Sequence, residues 1–401
     1  MSRSFPFVFV VIFLISACAE DKISAPPLPD VGSSDLPAAD IDAMVTDSDG
    51  HQDLPADTDA NTLPVDQGFE TTLDAAIPDT TRDMTDDILA DLGPATWKFA
   101  NVTPKPTGTF YGLHGSAAND VWAVGKDGSI YRYTGVWAPI DIHTHNCASQ
   151  QTSIEFYGVW AHSSTNVWLV GKATASGASD PVGIICHYDG TDINYQALPA
   201  GHSEELFGLW GIDPSNIWAV GQKGLILRHD QNKWQVDSQH VDQKALLGVH
   251  GSSVSDVWAV GWDGTMRYYD GTSWRDDRGF DFSASGATAI PALRGVWAVS
   301  PTTAWAYGDD STVLRWATSQ WYLVPQVPHM FPPPAILGMW RAGQSDLWFV
   351  GEMGTIWHWL TQSLDASHSI TGGGNIRAVW GSSPNDIWAV GSGGVILRYD
   401  N

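Results

Sequence analysis

Basic residues, cysteines and long apolar runs are all scarce in this chain. Twenty Lys and Arg stand against 45 Asp and Glu in 401 residues, a formal net charge of −25. No basic face is available for nucleic acid, and none is expected as a partner. The apolar run from Phe7 to Ile15 is too short to cross a bilayer as a mature helix. After Gly93 no stretch keeps an i, i+3, i+4, i+7 apolar pattern for even three turns, which argues against a helical body. A Gly-rich phosphate loop and a His-Glu-x-x-His motif are both missing, so neither cofactor nor metal is expected and an enzyme is the weaker reading. Tryptophan is absent from the first 96 residues, whereas all 21 lie between Trp97 and Trp388.

The uneven composition divides the chain into three parts. Residues 1–17 carry Arg3 and then the short apolar run, which reads as a secretory signal. Its end, Ile15-Ser16-Ala17-Cys18, resembles the bacterial lipobox, which implies cleavage before Cys18 and lipid on that cysteine. A multiply acylated cysteine holds a membrane durably, since each buried methylene contributes about 0.8 kcal/mol. Ala19 stands where the inner-membrane retention pattern has aspartate, so the expected address is the outer membrane of a bacterial envelope.

Residues 18–93 are rich in Asp, Ala, Pro, Thr and Ser. From Ala19 to Gly93 there are 19 acids against Lys22 and Arg82, a net of −17. Too little apolar surface is present to offset chain entropy, and the charges repel, so a disordered tether is expected. The run Asp47-Ser48-Asp49-Gly50 invites a calcium reading. That register fails, because aligning Gly50 with the glycine of a calcium loop puts Val45 and Ala56 at ligand positions.

Residues 94–401 are repetitive. A phrase of the form Asp/Asn-apolar-Trp-apolar-apolar-Gly begins at Asp120, Asn166, Asn216, Asp256, Asp346 and Asp386, and a seventh copy at Thr303 lacks the acid. Eight positions before each motif tryptophan stands another large side chain: His114, Trp160, Trp210, His250, Trp297, Trp340 and Trp380. Short β-rich runs separated by Gly, Asp, Asn and Ser give four strands per repeat, the content of one propeller blade. The last repeat stops before a fourth strand, while Thr96-Trp97-Lys98-Phe99 supplies a spare one ahead of the first. An all-β, seven-bladed propeller of four-stranded blades follows, latched by pairing Trp97 to Phe99 beside Ile396 to Tyr399. The repeat resembles the tryptophan-rich propeller repeats of secreted proteins and lipoproteins of myxobacteria and related bacteria. That resemblance implies a fold and an extracytoplasmic address more than a biochemical role. The WD40 signature is not matched: Trp262-Asp263 is the one Trp-Asp pair, and it falls in a turn.

Four insertions interrupt the repeat, at residues 139–153, 172–181, 276–291 and 325–334. All follow a second or fourth strand, which puts them on one face and leaves a bare sector at blades six and seven. Irregular loops on a rigid scaffold are where binding concentrates. Candidate contact residues are His143, His145, Asp276, Asp277, Arg278, His329 and Phe331. Cys147 and Cys186 lie near enough in the repeat for a disulfide, with free thiols or a metal site involving His143 and His145 as alternatives. The expected function is a membrane-anchored binding module for a protein or glycan, monomeric, with an envelope scaffold as the alternative.

Overall fold

The computed structural model describes residues 96–400, apart from 150, 240–241, 277–279, 282–289, 325–331, 344, 361–362 and 371–373. Twenty-eight strands form seven four-stranded antiparallel sheets. Six blades are consecutive; blade 1, for instance, runs through Phe110–Ala117, Asp120–Gly125, Ile130–Tyr133 and Trp137–Ile140. The seventh takes Ile376–Ser383, Asp386–Gly391 and Ile396–Asp400 from the end of the chain and Thr96–Phe99 from its start. The latch register pairs Thr96 with Asp400, Trp97 with Tyr399, Lys98 with Arg398 and Phe99 with Leu397. The chain is a seven-bladed β-propeller. Among the described residues no helix is long and apolar enough to cross a membrane.

The eight-residue offset in the repeat now has a cause. In every blade the two large residues face each other across the first and second strands, as His114 with Trp122, Trp210 with Trp218 and Trp380 with Trp388. The glycine closing each motif sits in extended backbone where a Cβ would come within 1.9–2.3 Å of a carbonyl oxygen, just ahead of the first strand in six blades and within it, at Glu155, in blade 2. At Gly125 that oxygen belongs to Thr109, at Gly221 to Glu205 and at Gly391 to Asn375. Any side chain there would push the two strands apart.

The motif acid fastens three strands of its own blade. Asp120 accepts from the Ser116 hydroxyl at 2.5 Å, from Trp122 Nε1 at 3.2 Å and from Arg132 Nε at 2.8 Å. The same guanidinium lies over the Trp122 ring at 4.8 Å, a cation–π contact that shields the ion pair. Arg228 over Trp218 with Asn216, and Arg398 over Trp388 with Asp386, repeat the arrangement. In blade 5, where Thr303 replaces the acid, Arg315 keeps the ring contact, at 5.7 Å from Trp305.

Packing between blades follows a size rule at six of the seven joints, the exception being Trp297, for which the next blade offers Arg341. The large side chain on one first strand lies over the backbone of the next first strand. Trp160 meets Gly211, Trp210 meets Gly251, Trp340 meets Gly381 and Trp380 meets Gly115, each leaving no room for a Cβ. Where the next blade offers alanine instead, the facing residue is the smaller histidine. His114 Nδ1 then accepts from the Ala161 N–H at 3.1 Å, and His250 Nδ1 from the Ala298 N–H at 3.2 Å. Burial pushes these imidazoles down to about 4 and about 3 respectively, so both are neutral.

Candidate functional site

Because strands alternate in direction, the connections after second and fourth strands share one face, and every first strand starts there. The second residue of each first strand, or in the longer first strand of blade 2 its equivalent Tyr157, therefore lines the channel mouth on that face: Tyr111, Tyr157, Phe207, Leu247, Arg294, Leu337 and Arg377. The cavity below them encloses about 250 Å³. Deeper in, Leu113, Val159, Val249, Val296, Met339 and Val379 are all buried and give the cavity an apolar lining.

The mouth is asymmetric. Tyr111, Tyr157 and Phe207 form a continuous aromatic arc over blades 1 to 3, with ring centroids 5.4 and 5.6 Å apart. Tyr157 donates to Glu155 at 3.1 Å, and Lys172 pairs with Glu155 at 3.8 Å while lying over the Tyr157 ring at 5.7 Å. Desolvation first, and then the Glu155 charge, raise the Tyr111 and Tyr157 hydroxyls, so both are neutral donors. Two arginines stand elsewhere on the rim. Arg294 is neutralised by Asp309 through a bidentate contact at 2.7 and 3.0 Å. Arg377 rests over the Tyr111 ring at 5.3 Å, has no ion pair among the described residues, and leaves a buried Nε without an acceptor. Such a mouth can stack flat or apolar groups on the arc and accept negative charge at Arg377 beside it.

Blade 2 adds a wall beside the aromatic arc. Its first two strands, Gln151–Ser163 and Asn166–Ala175, pair beyond the point where other blades begin, with Glu155 opposite Lys172 and Gln151 opposite Ala175. Residues 172–175 are thus strand, correcting the expectation of an irregular insertion over the whole of 172–181; only 176–181 form the turn. Residues 151–153, counted with the preceding insertion, are strand as well. Residues 139–140 end the outer strand of blade 1, and 141–149 are strapped to blade 2 by a Cys147–Cys186 disulfide with Cα atoms 5.9 Å apart. His145 Nδ1 meets Asp192 at 2.7 Å, and Asn146 bonds Asp192 and, at 3.0 Å, Asn194.

The candidate contact residues fare unevenly. His143 is exposed on the 141–150 connection. His145 is committed to Asp192 and so acts as part of the strap, not as a free contact. No cluster of three or more metal-ligating side chains occurs among the described residues. Asp276 ends the outer strand of blade 4 and pairs at 3.0 Å with Arg267, a nearly buried guanidinium that also holds Asp242 at 2.5 Å; it clamps the blade edge. Asp277, Arg278, His329 and Phe331 lie outside the described residues. Nor is the chain short at blades six and seven: the spacings from Asp365 to Ile376 and from Phe99 to Phe110 equal that from Ile140 to Gln151. The error came from counting strand as insertion in blade 2 while overlooking these two connections. The mouth residues were overlooked too, although their signal was readable as the large side chain three positions before each His114- or Trp160-type residue.

No family model matches this sequence, and no curated protein matches it. Solved structures match in fold. YCF48 bound to D1 peptide shares 15% identity over 78% of this chain and 96% of its own, with a TM-score of 0.58. A catalytically inactive virginiamycin B lyase from Staphylococcus aureus with quinupristin shares 16% over 77% and 99%, TM-score 0.60. The WD40 propeller domain of Doa1 shares 12% over 77% and 97%, TM-score 0.56. At these identities the likeness is one of fold, and it includes WD40 propellers even though their signature is absent here.

Proposed function

We propose that this chain is a lipid-anchored binding module of a bacterial envelope, whose propeller takes a peptide segment of a partner protein at the channel mouth. One observation carries the reading: a cavity flanked by a three-ring aromatic arc and an arginine without a counter-ion among the described residues. Aromatic surfaces offer large contact area at little conformational cost, and a rigid ring of strands presents them preorganised. The peptide seen with YCF48 supports the same use of such a scaffold. The lipobox-like end at Cys18, the acidic residues 18–93 and the likeness to myxobacterial propeller repeats support the address, with the outer membrane as the site of attachment.

The test is a peptide library screened against the purified chain, followed by calorimetry on the hits. The double variant Tyr157→Ala/Phe207→Ala should weaken a hit about tenfold or more while leaving the thermal midpoint within a few degrees. Hits whose affinity survives that change place the binding surface elsewhere. A glycan array run in parallel separates sugar stacking, which the same rings would serve, from peptide binding. Anchoring is tested separately, since Cys18→Ser should release the chain from the membrane fraction or leave it uncleaved.

A further inference from the structure

Resting on the peptide reading, we propose that the mouth recognises the C-terminal carboxylate of its ligand through Arg377, with the ligand's last apolar or aromatic side chain on the Tyr111–Tyr157–Phe207 arc. The charges at the mouth point to this. Lys172 is matched by Glu155 and Arg294 by Asp309, which leaves Arg377 as the cation at the mouth without a carboxylate among the described residues. A guanidinium that has lost part of its hydration and lacks an acceptor gains most from a bidentate oxyanion. Its position over Tyr111 fixes the plane of the fork next to the aromatic surface. A carboxylate seated there is therefore joined to a group that stacks.

A free terminus suits this mouth better than a mid-chain acid. Below the mouth Leu113, Val159, Val249, Val296, Met339 and Val379 give the wall an apolar lining, which leaves the charged end at the rim. A terminus brings its charge with a single backbone arm. An acidic side chain in mid-peptide would bring two backbone arms with it, and blade 2 walls off one side of the mouth with its extended hairpin. The body as a whole is acidic, which opposes anions at long range. Screening over about 8 Å at physiological salt leaves the local guanidinium dominant at contact distance.

Three probes test this on the full chain by calorimetry: N-acetyl-Leu-Phe with a free carboxylate, the same peptide as its C-terminal amide, and N-acetyl-Asp-Phe-amide. The free acid should bind at least about tenfold more tightly than either amide, the discrimination a charge-assisted hydrogen bond supplies. Arg377→Gln should bring acid and amide to the same affinity, and Arg377→Lys should restore part of the preference. Tyr157→Ala should weaken all three probes alike. Thermal midpoints of the Arg377 variants check that the fold is kept. Equal binding of acid and amide to the unaltered chain overturns the carboxylate proposal while the peptide reading stands. Aspartyl amide binding as tightly as the free acid overturns the terminal assignment. Absence of binding by every probe at millimolar concentration overturns both.

Discussion

Replacing Gly211 by alanine builds a methyl carbon 2.9–3.0 Å from three atoms of the Trp160 ring, a contact real side chains do not tolerate. Both partners are fixed in neighbouring first strands, so the ring cannot swing away without disturbing the channel wall. Overpacking of this kind costs about 1–3 kcal/mol. Replacing Trp160 by histidine instead removes much of a nearly buried indole, at a cost of about 2–4 kcal/mol. Combined, the two changes recreate the pair seen at His114–Ala161 and His250–Ala298, in which imidazole fills the smaller space and accepts the alanine N–H. The double variant should therefore lose at least about 1 kcal/mol less than the sum of the singles. Urea unfolding followed by far-ultraviolet circular dichroism reads this without depending on the fluorescence of the altered tryptophan. Additivity within about 0.5 kcal/mol would refute the size rule, and the histidines would then need another explanation.

Other expectations follow from single contacts. Met353 adopts φ 56° in an exposed turn where other repeats carry Asp127, Lys223 or Gly393, so Met353→Gly should raise stability by about 0.5–1 kcal/mol in the same unfolding assay. The Cys147–Cys186 bond spans 39 positions, and its loss by double serine substitution should cost up to about 4 kcal/mol, read as a lower thermal midpoint, while the blade 2 wall loosens first in hydrogen exchange. His114 and His250 have folded values below the ordinary 6.5, so the unfolded chain takes up protons first and stability falls as pH drops from about 6.5 towards 4. His114→Gln/His250→Gln should flatten that slope; an unchanged slope would place the protons elsewhere. Deleting residues 96–99 should expose the edge of Ile396–Asp400 and produce aggregation, scored by light scattering.

The blade count, the strand content and the latch were legible in the sequence because each rests on a steric demand that repeats. A glycine at Gly125 or Gly391 has no substitute, and neither has a tryptophan stacked under Arg132 or Arg398, so periodic recurrence exposes them. The extended hairpin of blade 2 was not legible. Lys172 to Ala175 carry no strong strand signal of their own and pair only because Gln151 to Glu155 stand opposite, a relation set by register and not by composition. The channel mouth was hidden for the opposite reason. Tyr111, Phe207, Leu247 and Arg377 occupy equivalent positions but share no chemistry, since nothing in the blade constrains a side chain that points into the opening. Variation at a fixed place in a repeat is thus where this protein differs from its own symmetry.

The latch also decides how the ring carries load. Thr96 enters beside Asp400, so both chain ends meet the body on the face opposite the channel mouth. A pull applied to residue 95 while a ligand holds the mouth runs along the Thr96–Phe99 strand, parallel to its neighbour. The ladder bonds between Thr96 and Asp400, Lys98 and Arg398, and Ala100 and Ile396 then share the force in shear instead of opening one after another like a zip. Breaking the ring by traction requires all of them to fail together, which makes the seam where the circle closes a mechanical clasp.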